Sequence, residues 1–231
     1  ARYYNPSLGR FTQSDPAMAD GMNWYVYCGN EPINLVDTTG LVAYELFDSL
    51  EEAAKDWAWN TYAQTEYIML ESGAIMYSIV IDGRQYYSYT NGVVGEAHSV
   101  DLLQIYNSDA IFKQSNVTAV ATIHNHGVSR EFSPVDKGFA ENKYRNILPD
   151  LYACFMVAYG DTPGTANIYK YSDTRKGYQQ QTVCTGLSYN LLTSNRKQEL
   201  AANTILKKRW EEHLNTCRDP KCVKRHWPKG K

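Results

Sequence analysis

Apolar positions along the chain follow two different periods, and each period predicts one kind of secondary structure. Spacings of three and four residues, as in the stripe of Ala53, Ala54, Trp57 and Ala58, are typical of a helix that buries one face. Short apolar runs between turn-forming residues are typical of strands. Helices are predicted at residues 49–63, 133–146 and 194–214. Strands are predicted at residues 74–81, 85–90, 117–126, 153–159 and 166–171.

Turn and capping residues mark the ends of several of these elements. Ser49 is expected to cap the first helix, and Asp82-Gly83 is typical of the tight turn in a β-hairpin. Turns between short strands are also predicted at residues 5–9 and 161–164. The order of helix, strands, helix, strands and helix predicts an α/β fold of the α+β type, built on a mixed sheet.

Charge is distributed unevenly although the total is small. The 231 residues carry a formal net charge of −2 and are 43% hydrophobic and 21% charged, which excludes wholesale disorder. Residues 196–231 carry eleven basic and four acidic side chains, whereas residues 42–195 are acidic overall. The basic tail is expected either to attract the acidic body or to bind an acidic partner or nucleic acid.

The sequence shows neither a signal peptide nor a membrane span. No apolar run approaches the roughly 18 residues that a membrane-spanning helix needs, and no signal-peptide pattern is present. Five cysteines are too few for a disulfide scaffold, which favours a reducing compartment. Because the chain begins at Ala1 rather than Met, we expect it to be a piece of a longer protein.

Residues 1–41 form a separate module that is rich in aromatic and turn-forming residues. Four motifs follow one another in it: R-Y-Y-N-P-x-x-G-R-F from Arg2, S-D-P from Ser14, N-x-Y-x-Y-x-x-N-x-P-x-N from Asn23, and D-x-x-G-L from Asp37. In order and spacing, these motifs closely resemble the end of an RHS repeat core. The resemblance implies a large β-cage, built by the repeats around a variable C-terminal toxin.

The same resemblance implies that this module is an aspartyl autoprotease. It assigns Asp15 and Asp37 as the catalytic carboxylates and places the cut between Leu41 and Val42. Two carboxylates that share one proton are able to activate a water and to protonate a leaving amide. Alternatively, both aspartates only initiate turns. The remaining residues 42–231 are then the effector domain.

Residues 42–231 contain a cluster of side chains suited to metal binding. His124 and His126 lie two residues apart at the end of a predicted strand, and alternate residues of a strand point to the same face. Asp136 follows ten residues later, at the start of a predicted helix. Two histidines and a carboxylate are typical ligands of a catalytic zinc that keeps its fourth position for water. Alternatively, Ser133 and Asp136 form a capping box, which alone would explain both residues.

The run H-x-H followed by F-S-P-x-D resembles the JAMM motif of JAB/MPN-type metallopeptidases. It is still more similar to the JAB-like domains that are appended to RHS cores. Over about residues 49–172, the resemblance implies a JAB/MPN-like domain, layered as in cytidine deaminases. It also implies that His124, His126 and Asp136 bind Zn²⁺.

Two catalytic side chains are assigned by the same resemblance. It implies that Ser133 stabilises the oxyanion and that a glutamate about fifty residues upstream of the histidines is the general base. Glu71 fits this role because it directly precedes a strand of small and apolar residues, whereas Glu66 and Glu96 do not. The chain departs from the family pattern at Gly127, where proline is usual.

The last part of the chain, residues 194–231, is predicted to be a helical basic tail. It contains Cys217, Cys222 and His226, which suggest a second zinc site that lacks one ligand. The alternative is a pair of ordinary cysteines near a basic terminus.

Together, these resemblances predict the C-terminal toxin of an RHS polymorphic toxin. It would be secreted inside the RHS cage of its parent protein and delivered into the cytoplasm of a target cell. The predicted activity is zinc-dependent hydrolysis of a peptide or isopeptide bond in an intracellular protein, and a cognate immunity protein is expected in the producing cell. The alternatives are a metal-dependent nuclease or deaminase that acts on nucleic acid, and a non-enzymatic toxin that binds its target.

Overall fold

The computed structural model describes most of the chain between Tyr44 and Ser188. The described residues are 4–5, 10–11, 35–36, 44–68, 70–90, 92–95, 100–126, 130–162 and 164–188, with helical positions at 197, 202, 204, 207–208 and 210–212. Two antiparallel pairs of very short strands precede the main sheet: β1 (Tyr4–Asn5) with β2 (Arg10–Phe11), and β3 (Leu35–Val36) with β4 (Tyr44–Glu45). The first pair confirms the short strands predicted on either side of residues 5–9.

A seven-stranded sheet forms the body of the protein. Its strands are β5 (Ser72–Ile81), β6 (Arg84–Tyr89), β7 (Val93–Val94), β8 (Val117–Asn125), β9 (Ala153–Tyr159), β10 (Thr165–Ser172) and β11 (Gln179–Ser188). They are neighbours in the order β11, β10, β9, β8, β5 and β6, and β7 pairs with the start of β5. All pairs are antiparallel except β8 with β9, which is parallel. The sheet curls into a half-barrel.

Helices cover both faces of this sheet. Helix α1 (Leu50–Ile68) begins after Ser49, whose hydroxyl accepts the Glu52 N–H at 3.2 Å, as predicted. Trp57 of α1 packs in one core with Met76 of β5. Because alternate residues of a strand face opposite sides, the neighbouring Ile75 packs into a second core. The helices on that second side are α2 (Leu102–Ser108), a 3-10 helix (Ala110–Lys113) and α3 (Pro134–Ala140).

The predicted strands are confirmed, with small shifts at their ends. The hairpin between β5 and β6 turns at Asp82 and Gly83, whose φ angles of 50° and 77° are those of the predicted tight turn. The parallel pairing of β8 and β9 requires a connection that crosses back over the sheet. Helix α3 lies in that connection, and it therefore begins beside the carboxyl end of β8.

The predicted JAB/MPN-like layered fold is wrong. The architecture is mixed α/β, but the sheet is a curled half-barrel of six to seven strands with few helices, which does not match a JAB/MPN layered domain. The prediction came from a short run of side chains. Such a run constrains where those side chains lie and leaves the order of the strands open.

The predicted helix at residues 133–146 is also too long. Helix α3 ends at Ala140, and Asn142 takes a left-handed conformation with a φ of 55°, which a continuing helix excludes. Helix α2, the 3-10 helix and strand β11 were not predicted. Of the C-terminal tail, the described positions are helical and Trp210 is buried. Among the described residues, no helix combines the length and the apolar character that crossing a bilayer requires.

Candidate metal centre

The two histidines lie at the carboxyl end of β8, near the middle of the sheet. His124 is opposite Gly73 of β5 on one side and beside Met156 of β9 on the other. His126 follows the strand, and its backbone N–H donates to the Val157 carbonyl at 2.8 Å. Both side chains are almost fully buried. The pairing on both sides of β8 therefore fixes the backbone from which the two imidazoles project.

Asp136 reaches the histidines from the first turn of α3. Its backbone N–H donates to the Ser133 hydroxyl at 3.2 Å, and its Oδ2 accepts the Ser133 backbone N–H at 2.7 Å. Pro134 occupies the first turn, where its missing N–H costs nothing. The capping box therefore exists, and it holds the carboxylate of Asp136 in one orientation. Capping and metal binding are compatible roles for this residue.

Three ligand atoms converge on one point. The two Nε2 atoms of His124 and His126 are 2.9 Å apart, and each lies 3.4 Å from one carboxylate oxygen of Asp136. The two N–O distances involve different oxygens of the carboxylate, Oδ1 for His124 and Oδ2 for His126. Neighbouring ligands of a tetrahedral zinc ion lie about 3.4 Å apart, which is similar to each of these distances. The N–N distance corresponds to an angle of about 90° at the metal. The three side chains therefore form a group that could hold a metal ion.

Electrostatics in the cluster also favour a cation. Burial alone would lower the pKa of His124, but its contacts with Asp136 and Cys154 hold that pKa well above its usual value. Burial alone would raise the pKa of Asp136, but contacts with His124 and His126 hold it far below its usual value. The raised pKa favours the protonated form of His124. Metal binding would release that proton, because the ligands must be deprotonated.

The second nitrogen of each imidazole has a different environment. Nδ1 of His124 lies 3.9 Å from the thiol of Cys154, a buried residue of β9. Nδ1 of His126 is buried and has no hydrogen-bond partner within the described part of the chain. The Cys154 contact orients His124 so that its Nε2 faces the cluster.

Glu71 directly precedes β5, on the side of the sheet that carries the cluster. Its position is two residues before Gly73, the partner of His124, so the pairing register directs its side chain toward the same face. Burial raises the pKa of Glu71 to about 7; the charge of His124 opposes this shift and that of Asp136 adds to it. A buried carboxyl group that senses both ligands is the arrangement that a general base requires.

Other predicted site residues have different outcomes. Glu66 lies in helix α1, but its side chain is outside the described part of the chain. The following lie outside the described residues: Asp15, Asp37, Leu41, Glu96, Cys217, Cys222 and His226. Their predicted roles stay predictions.

A methyl group at Gly73 is expected to disturb this part of the sheet. A Cβ there would lie 2.8 Å from Leu102 Cδ2 and 2.9 Å from the Ile123 carbonyl oxygen, and a carbonyl in a strand has little freedom to move. We expect Gly73→Ala to lower the free energy of unfolding by about 1 to 3 kcal/mol, measured by urea denaturation. Gly92→Ala is the control, because its nearest contacts would be 3.4 and 3.7 Å. Equal stability of the two variants would contradict this packing.

Comparisons with known proteins give little further information. No protein-family model matches the chain. A stretch of 112 residues is 30% identical to salivary gland surface protein 1 of Aedes aegypti, covering 41% of this chain and 3% of that protein. The chain thus spans a very small part of that relative's length. The similarity bears neither on the RHS resemblance nor on the His-x-His cluster.

Proposed function

We propose that residues 42–231 form a zinc-dependent hydrolase that cleaves a peptide or isopeptide bond and acts as the C-terminal toxin of an RHS protein. The observation that carries the hydrolase assignment is the convergence of the two Nε2 atoms and the Asp136 carboxylate, beside a buried glutamate. Zinc held by His124, His126 and Asp136 would lower the pKa of water toward neutrality. The bond type rests on the resemblance to JAMM-type metallopeptidases.

Glu71 is assigned as the general base and later the general acid. A group that takes a proton from water and then gives it to the leaving amine works best when its pKa is near the operating pH. The pKa of about 7 at Glu71 meets this condition, because burial makes the carboxylate a better base than an exposed one.

Ser133 is assigned to the oxyanion. Its Oγ accepts the Asp136 N–H in the capping box, and a hydroxyl that accepts one hydrogen bond still has its own proton to donate. A donor in that position would stabilise negative charge that develops on the carbonyl oxygen of the substrate. Ser133 thus supports the helix start and remains available to the substrate.

The toxin context rests on the motifs of residues 1–41. Under the proposal, Asp15 and Asp37 cut the chain after Leu41, and the effector leaves the RHS cage in the target cell. A cognate immunity protein protects the producing cell by contacting the cleft or the basic tail.

Metal content tests the proposal directly. We expect the full 231-residue chain to hold about one zinc ion, and His126→Ala to hold none, because two remaining ligands bind zinc too weakly to survive purification. Elemental mass spectrometry measures both. Asp101→Asn is the control, since Asp101 also caps a helix but lies outside the cluster. A wild-type chain that holds no metal after zinc loading would refute the hydrolase mechanism.

A further inference from the structure

Asn125 lies between the two histidines, and its side chain connects the ligand strand to the chain around Glu71. The residue is 3% exposed. Its Oδ1 accepts the Ser72 backbone N–H at 2.6 Å, and its Nδ2 donates to the Leu70 carbonyl at 3.4 Å. One side-chain amide thus holds the peptide groups on both sides of Glu71.

The place of this contact in the sheet explains why a side chain is needed. Backbone pairing between β5 and β8 ends at the Gly73–His124 pair. Asn125 continues the connection for one residue beyond that point. On the other side, the Gly95 N–H donates to the Glu71 carbonyl at 2.8 Å. The backbone that carries Glu71 is therefore held from two directions, although it lies outside the β5–β8 ladder.

We propose that Asn125 is a positioning residue that holds Glu71 at its distance from the metal ligands. The inference rests on the proposed role of Glu71 as the general base. Without the amide bridge, residues 70–72 separate from the strand that carries His124 and His126. A displacement of about 1 Å at a reacting group costs on the order of 100-fold in rate. The hydrogen bonds of the Asn125 side chain go to Leu70 and Ser72 and not to the proposed ligand atoms.

A second asparagine provides a matched control. Asn116 directly precedes β8, and its Nδ2 donates to the Val80 carbonyl of β5 at 3.1 Å. It therefore makes the same type of cross-strand contact between the same two strands, at the end remote from the cluster. Asn116→Ala removes one such bond without changing the backbone around Glu71.

The test is a double-mutant cycle on the full 231-residue chain, combined with hydrogen exchange. Potency is measured as the amount of expressed protein that halves bacterial growth rate. We expect Asn125→Ala to lose about 10- to 100-fold in potency with zinc content kept, and Asn116→Ala to match wild type. In a Glu71→Gln background, Asn125→Ala is expected to cause no further loss. Exchange of the Ser72 amide is expected to accelerate in Asn125→Ala alone and not in Asn116→Ala.

Several results would overturn the inference. If Asn125→Ala lowers potency by the same factor in the wild-type and Glu71→Gln backgrounds, Asn125 has a general structural role. An unchanged rate of hydrogen exchange at the Ser72 amide would also contradict the inference. A potent Glu71→Gln would instead refute the proposed base, and the inference with it. If Asn125→Ala does not fold, Asn125→Ser replaces it, because a serine hydroxyl is too short to bridge Leu70 and Ser72. A fully potent, folded Asn125→Ser also contradicts the proposal.

Discussion

Replacement of Glu71 by glutamine is expected to lower toxicity at least about 100-fold while one zinc ion per chain is retained. Glutamine has nearly the same shape as glutamate but does not accept a proton, so the metal ligands stay in place and proton transfer is lost. Zinc content and the growth-inhibition assay are measured on the same preparations. The comparison separates the base from the ligands, because His126→Ala is expected to lose both metal and toxicity.

Glu51→Gln serves as the control for this substitution. Glu51 lies in α1 and forms an ion pair with Lys170 at 2.8 Å, away from the cluster. We expect this variant to keep wild-type toxicity. A Glu71→Gln chain that is as toxic as wild type would exclude Glu71 as the base. Loss of zinc from that variant would show that Glu71 is a ligand or supports one.

In the metal-free chain, the same Glu71→Gln substitution is expected to increase stability at high pH. Because the pKa of Glu71 is raised to about 7 in the folded chain, folding is favoured by its protonated form. The free energy of unfolding therefore falls as pH rises from about 4.5 to 7. Over this range Glu71 is ionised in the unfolded chain but still protonated in the folded chain. Glutamine avoids that loss. We expect Glu71→Gln to gain about 3 kcal/mol at pH 8 and almost nothing at pH 4.5, measured by urea denaturation with a chelator present.

Glu51→Gln is expected to give the opposite sign. Burial would raise the pKa of Glu51, but its hydrogen bond with Lys170 holds that pKa below its usual value. Stability from this pair is present above the pKa of the unfolded chain and is lost as pH falls. Glu51→Gln should therefore be slightly less stable than wild type at pH 8. A Glu71→Gln variant that also loses stability at pH 8 would contradict the burial of an ionisable carboxyl group at that position.

Local patterns in the sequence were sufficient to predict much of the sheet. Strand β8 reads as an unbroken apolar run, and Asp82-Gly83 supplies the left-handed backbone conformations that its hairpin needs. Strand β11 was missed because its first residues, Gln179, Gln180 and Gln181, are exposed polar side chains at the edge of the sheet. Edge strands of this kind have neither an apolar run nor a buried face to reveal them.

The grouping of the three proposed metal ligands could also be predicted, because it depends on local geometry. His124 and His126 share a face by strand alternation, and Asp136 is placed by its own capping box. The contacts of Asn125 with Leu70 and Ser72 join residues more than fifty positions apart, and no spacing in the sequence indicates them. The order of strands is likewise decided by pairing between distant segments. For that reason the motif led to a wrong fold prediction, although the three side chains that it singles out do lie together.

The backbone hydrogen bond from His126 to Val157 has a consequence for the time at which activity appears during protein synthesis. A chain emerging from the ribosome contains Glu71 and both histidines well before it contains the strand that holds His126 in place. At about 5 to 20 residues per second, the roughly 30 residues from His126 to Val157 take on the order of 2 to 6 s. Under the proposed function, we expect the nascent chain to be inactive until β9 has emerged, which would give the producing cell a defined period in which the unfinished chain is harmless.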